Sequence, residues 1–195
     1  MIRLTLASVL FLALLAGAAP APSVYKVKFE TSAGDFVVEV HRDWAPNGAD
    51  RFSELVTSKF FDQCRFYRVV RRFIAQWGVS GDPAMNRRWA PIKDDPAKQK
   101  NLKGTIAYAK EGANNRTNIV FVNLADNALL DKTGFVPFGR VVSGMDVVEK
   151  IFAGYGDSAP RGEGPDPTKM MMQGNSYLEG RFPRLDFIKK ATIVP

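Results

Sequence analysis

One cysteine and one histidine are all that the 195 residues hold of either type. Cys64 alone cannot form an internal disulfide, so the fold has to be held by packing. Flanked by Gln63 and Arg65 ahead of an extended stretch, it reads as a small buried or half-buried side chain with no partner for nucleophilic work. His41, at the end of a strand-like run beside Arg42, can build neither a triad nor a zinc site by itself. The chain also lacks a G-x-S-x-G elbow, a Walker loop, a G-x-G-x-x-G between strand and helix, a C-x-x-C and an H-E-x-x-H. No cofactor and no metal are therefore expected. Nor is there a basic run: Lys and Arg outnumber Asp and Glu by 27 to 20, but they form nothing longer than a pair, as at Arg71-Arg72 and Arg87-Arg88. The net charge of +7 thus speaks for solubility and against a nucleic-acid partner.

Only one stretch is continuously apolar. Leu4 to Ala16 follows Arg3 and runs into the small residues of "AGAAPAPS", the pattern of a secretory signal peptide. It is shorter than the roughly 20 residues that span a bilayer, and it contains Thr5 and Ser8 and breaks at Gly17. Ala16-Gly17-Ala18 predicts cleavage after Ala18, which makes residues 1–18 the signal peptide and residues 19–195 one domain. Loss of Arg3 would leave a charge of +6. The mature chain is expected to be exported through the secretory pathway, to periplasm, secretory lumen or extracellular space, without stable membrane anchoring and as a monomer. An uncleaved signal acting as an anchor is the alternative.

What is present is a series of short strands. "VYKVKFE" (24–30) alternates cleanly and "FVVEV" (36–40) is β-branched, with a Gly-containing turn between them, so a hairpin is expected. Pro46 suits a first helical turn, and Phe52, Leu55 and Val56 follow at helical spacing, which predicts a helix over 46–58. Strands are expected at 65–70 and 73–77, at 105–109 and 119–124, in "FVPFGRVV" and in "LDFIKKATIV". Ser143, three residues ahead of Asp146, predicts a capped helix in "SGMDVVEKI". Residues 79–103 lose all periodicity, and a connection of that length in a compact domain is expected to lie over a binding surface or to carry function. Many short strands, two helices and no repeat predict a mainly β fold, a closed or nearly closed antiparallel barrel plugged by helices.

Within "FYRVVRRFIAQWG" (66–78) a two-residue period puts Phe66, Arg68 and Val70 on one face, with a guanidinium between apolar side chains. Such an Arg can snorkel to water, pair with a buried carboxylate or be held for a substrate. Asp94-Asp95, next to Pro96, reads as solvated turn chemistry.

That stretch, followed by "KGTIAYAKEGANN" and "VFVNLADNALLDKTGFVPFGRVVSGMDVVEKI", resembles the cyclophilin-type peptidyl-prolyl cis/trans isomerases, and the similarity runs from "VKFETSAGDFVVEVHRDWAPNGADRFSELV" to the last strand. The resemblance implies a closed eight-stranded antiparallel β-barrel capped by two α-helices, with the active groove on its outside. It implies cofactor-independent isomerisation of X-Pro bonds in proline-containing peptides or unfolded protein segments. Residue by residue it makes Arg68 the catalytic arginine, and it places Phe73, Ile74, Gln76, Ala109, Lys110, Phe121, Leu129, Leu130 and Phe135 along the substrate groove. Three positions depart from the best-known pattern: Ile119 stands where a groove glutamine is usual, Leu129 where some members have Trp, and Phe135 where they have His. Losing the glutamine removes a hydrogen-bonding side chain near Arg68, so a catalytically weak or inactive module that binds proline-containing peptides is the alternative function. Asn115-Arg116-Thr117 is an N-glycosylation sequon in the loop matched to the groove edge, where a glycan would obstruct substrate.

Overall fold

The computed structural model describes residues 21–195, so the expected signal peptide lies outside the described residues. Eight strands form one antiparallel sheet: β1 (Val24–Thr31), β2 (Gly34–His41), β3 (Arg68–Val70), β4 (Ile74–Trp77), β5 (Thr105–Tyr108), β6 (Val120–Asn123), β7 (Pro137–Ser143) and β8 (Ile188–Val194), in the order β3-β4-β6-β5-β7-β2-β1-β8. The alternation seen in the sequence decides which face is turned inwards. Along β1, Tyr25, Val27 and Phe29 are buried while Lys26, Lys28 and Glu30 are turned outwards. Phe29 pairs with Phe36 across the expected hairpin, and their rings stack at 4.8 Å. Phe52, Phe61 and Trp77 close around Phe29 at 5.6–6.2 Å. A core built of rings fills the concave side.

The edge strands β3 and β8 do not pair with each other as strands. Just outside them Arg65 and Phe187 form an isolated antiparallel bridge, flanked by backbone bonds from Phe66 N to Asp186 O and from Ile188 N to Cys64 O, both 2.9 Å. The expected closed barrel is thus a curled sheet joined at its seam by one bridge. Cys64 sits at this seam, fully buried, its thiol directed at Phe60 O (3.4 Å) and its pKa pushed up by burial.

Helix α1 (Pro46–Thr57) lies where expected and buries Phe52, Leu55 and Val56. Five shorter helices follow: α2 (Pro83–Asn86), α3 (Ala128–Lys132), α4 (Met145–Lys150), α5 (Pro167–Gln173) and α6 (Asn175–Arg181). Four of them were not expected, because four to seven residues carry too little of the 3.6-residue period to be read. For α4 the expected start is off by one residue. Ser143 is still the last residue of β7, paired with Val37, and Gly144 (φ +77°) is the N-cap, with no side-chain capping bond. A Cβ at Gly144 would collide with the backbone of Asp35 and Phe36, so glycine makes this strand-to-helix corner possible.

The long connection between β4 and β5 is ordered by charge. Helix α1 has Ala45 at its N-cap and no capping side chain of its own. Asp95 supplies one from the loop, accepting from Asn47 N (3.0 Å) and Gly48 N (2.9 Å) while pairing with Arg116 Nη2 (3.0 Å). Both side chains are buried. Asp94 meets Lys110 Nζ at 2.9 Å and Arg116 Nε at 3.2 Å, and its carboxyl stays below the ordinary value even though desolvation pulls upwards, because Asn114 N, Lys110 and Arg116 offset it. The Asp94-Asp95 pair is therefore no solvated turn: unsatisfied N–H groups at the head of α1 draw the loop inwards. Replacing Asp95 by Ala takes one of two carboxylates from the buried Arg116 guanidinium, leaving Asp94, and uncaps α1, and is expected to cost about 2–4 kcal/mol in urea unfolding. A midpoint equal to wild type would show that the loop is not fastened this way.

Candidate active site

Arg68 opens β3, and its surroundings follow from where that strand begins. Residues 65–67 are not in a strand, so the two-residue period starts only at Arg68. Phe66 is therefore not on the face of Arg68 and Val70, as the alternation predicted: it is fully buried in the inner core together with Val69, whereas Arg68 and Val70 are half-buried on the outer side. β3 turns into β4 through Arg71-Arg72, with Arg72 in the left-handed region at φ +61°, and the hairpin sets Arg68 directly across from Gln76. At the far end of β4, Gly78 (φ +110°) lies so close to the backbone of Asn118 and Ile119 that no Cβ would fit. That approach fixes the start of β6 against the end of β4.

The outer face of β4, β6 and β5 carries an apolar cluster separate from the core. Ile74, Ala107, Phe121 and Leu130 are buried in it, and Phe73, Ala109 and Phe135 pack on its rim. Phe121 meets Phe135 edge to face at 5.7 Å, and the Arg68 guanidinium stands 5.7 Å from the Phe73 ring centre. All of these residues except Ala107 line a cavity of about 600 Å³. Of the positions marked by resemblance, Arg68, Phe73, Ile74, Gln76, Ala109, Lys110, Phe121, Leu130 and Phe135 all reach this cavity. Leu129 does not: on α3 it is 71% exposed, while Leu130, one residue on and so about 100° round the helix, turns into the cluster. Lys110 contributes its stem, since its ammonium is engaged by Asp94. Asn115 is exposed at the rim, its amide donating to Glu111 O at 2.8 Å.

The polar end of the cavity is a chain of hydrogen bonds. Arg68 Nε donates to Asp157 Oδ1 (2.7 Å) and Nη2 to Asp157 Oδ2 (2.9 Å), a bidentate pair, while Nη1 donates to Gln76 Oε1 (3.3 Å). Gln76 Nε2 in turn donates to the Tyr67 hydroxyl at 2.8 Å, whose pKa burial raises. The Arg68 bond, helped by Ser158 N, holds the Asp157 carboxyl below the usual carboxylate range against its partial burial. Sequence reasoning missed Asp157 and Tyr67, and with them Ser158, Arg161, Pro167, Met170 and Met171, which form the cavity wall facing β4. Apart from Tyr67, which directly precedes β3, they belong to a Gly- and Pro-rich loop and to a short helix, where no periodic pattern points at a partner 89 residues away. Among the described residues no group of three or more His, Cys, Asp or Glu side chains could hold a metal ion, and no helix is long and apolar enough to cross a membrane.

Comparison with known proteins gives this geometry a context. Residues 26–172 match the family model described as cyclophilin type peptidyl-prolyl cis-trans isomerase/CLD. A peptidyl-prolyl cis-trans isomerase of Acinetobacter baylyi is 33% identical over 132 residues, 64% of this chain and 70% of the relative. Peptidyl-prolyl cis-trans isomerase B of Escherichia coli is 34% identical over 136 residues, covering 64% and 82%. The crystal structure of a cyclophilin type peptidyl-prolyl cis-trans isomerase of Cryptosporidium parvum superposes with a TM-score of 0.63 at 18% identity, over 88% of this chain and 98% of its own, and so shares the fold. That protein has also been crystallised in the presence of the dipeptide Ala-Pro, with a TM-score of 0.62 to this chain.

Because the folded state depresses the Asp157 pKa, the Arg68 pair stabilises the protein fully above the unfolded value near 3.9 and loses its effect as pH falls through the folded value. The difference in urea midpoint between wild type and Asp157→Asn is expected to be flat down to about pH 5 and to shrink below about pH 4. A difference that grows on acidification would contradict the ion pair.

Proposed function

The chain belongs to the cyclophilin-type peptidyl-prolyl cis-trans isomerases, and from that premise we propose that it isomerises X-Pro bonds of exported or secreted proteins and thereby assists their folding. The family's reaction makes and breaks no bond and uses no cofactor. An X-Pro amide turns over in tens to hundreds of seconds unaided, because twisting the C–N bond sacrifices amide resonance. In the twisted state the prolyl nitrogen is pyramidal and carries an available lone pair. A fixed N–H aimed at it stabilises that state over the planar one, and this difference is the catalysis.

The observation that carries the assignment is Arg68 itself, half-buried beside an apolar pocket and already oriented by Asp157 and Gln76. Phe73, Phe121 and Leu130 would hold the proline ring while the preceding peptide unit turns, in surroundings whose low polarity strengthens the bond from the guanidinium. Proline-containing segments are the fitting ligands, and the Cryptosporidium relative crystallised with Ala-Pro supports them. A binding module without catalysis was the alternative because Ile119 offers Arg68 no polar group. Asp157 provides one, which favours the enzyme. Export is supported by the run from Leu4 to Ala16 and the small residues after it.

Purified residues 19–195 are expected to accelerate isomerisation of a proline-containing tetrapeptide, and Arg68→Ala to lower kcat/KM at least tenfold, which is about 1.4 kcal/mol of transition-state stabilisation. Equal rates for the two proteins would overturn the mechanism. N-terminal sequencing of the protein made in an exporting cell is expected to begin at Ala19, and an intact Met1 would overturn cleavage after Ala18 and favour the uncleaved anchor.

A further inference from the structure

The isomerase reading requires that Arg68 present donors to the groove in a fixed direction, and three of its five N–H groups are already engaged: two by Asp157 and one by Gln76. The Gln76 bond, at 3.3 Å, is at the long end of the range and cannot by itself stop the guanidinium from turning. The Phe73 face beneath it is likewise tolerant of rotation. The bidentate carboxylate is different. It sets the plane of the guanidinium and leaves one N–H on Nη1 and one on Nη2 for a ligand.

Asp157 is itself a fixed point. Its Oδ1 accepts from Ser158 N at 2.8 Å and its carbonyl from Gly164 N at 2.8 Å. Ser158 Oγ donates to Pro165 O at 2.8 Å, Glu163 N to Tyr155 O at 3.0 Å, and Ser158 bridges to Gly164. Gly162 packs so tightly on the Asp157 backbone that a Cβ there would collide with it. The loop is closed on itself, and only 15% of the Asp157 side chain is exposed. Behind it α5 and α6 build a second apolar cluster from Met170, Leu178, Tyr67 and Val79, and Ile119 packs against that cluster. Ile119, which lines the same cavity as Arg68, is therefore covered by apolar surface, where a polar side chain would lose water, and the same segment that covers it returns a carboxylate to Arg68.

We propose that Asp157 is the positioning residue for Arg68 in X-Pro isomerisation, holding the guanidinium from a C-terminal segment in place of a polar side chain at position 119. The inference rests on the isomerase reading, and it adds to it a residue outside the strands that carry the groove. Asp157→Ala is expected to lower kcat about tenfold with KM unchanged, because an orientation needed only in the twisted state is lost while the proline pocket stays intact. Asp157→Asn, which keeps the shape and one acceptor oxygen, is expected to recover part of that loss. By NMR the Arg68 Nε–H is expected to exchange slowly in the wild type and fast in Asp157→Ala. An inactive wild type would sink the isomerase reading itself. An active wild type with unchanged kcat in both variants, or a higher kcat in Asp157→Ala, would leave that reading standing and overturn the role of Asp157. A variant that fails to fold is recognised by its lost dispersion, and Asp157→Asn with the Nε–H exchange then decides.

Discussion

A guanidinium on the outer face of a curled sheet has to be held without being used up, and the site depends on meeting that demand at Arg68. Left free, an arginine snorkels to water and carries side-chain entropy into any complex. Fully satisfied by protein groups, it has nothing left to donate. The arrangement found lies between these limits: one edge of the fork on Asp157, one N–H on Gln76, a ring beneath, and two N–H groups over. Everything that places those partners is backbone geometry. The β3–β4 hairpin sets Gln76 opposite Arg68, the Gly78 contact with Asn118 and Ile119 aligns β6 with β4, and the closed loop around Asp157 sets the carboxylate.

The two faces of the sheet divide the work. Its concave side is filled by rings, with Phe29 in contact distance of Phe36, Phe52, Phe61 and Trp77, and so gives a stiff support. Its convex side carries the smaller cluster of Ile74, Ala107, Phe121 and Leu130, which a proline ring could complete. Side chains that alternate along β4 and β6 serve both, so the groove inherits the rigidity of the core through a single layer of backbone. The loop from β4 to β5, fastened through Asp95 to the head of α1, ties that helix to this layer.

What could be read from the sequence is what periodicity and local motif record. The hairpin of β1 and β2, the helix at Pro46 and the strands around Phe73 and Phe121 each carry their own pattern, whereas the groove was marked by the family resemblance alone, and nine of its positions line the cavity. What could not be read depends on contacts distant in the chain. Phe66 seemed to share a face with Arg68 because the alternation was extended two residues too far, into a segment bonded to Asp186 rather than to a strand. Asp95 looked solvated because nothing local shows that its partners are two amides of α1 and Arg116. Leu129 seemed to be a groove residue until a helix turned it outwards and Leu130 in.

Ile119 and Asp157 are best understood as one change with two ends. An isoleucine in the same cavity as an arginine returns it no hydrogen bond. Next to the cluster of Met170, Leu178, Tyr67 and Val79 it is favourable, because that surface excludes water and rewards an apolar neighbour. The segment that creates the apolar cover brings Asp157 with it, and Asp157 meets Arg68 with better geometry than one amide oxygen could, through two charge-assisted bonds of 2.7 and 2.9 Å. Ionisation of the carboxylate is secured by the same contact, with Arg68 as the largest cause of its depressed pKa. A residue that viewed alone weakens the site thus marks the place where a different part of the chain has taken over its support.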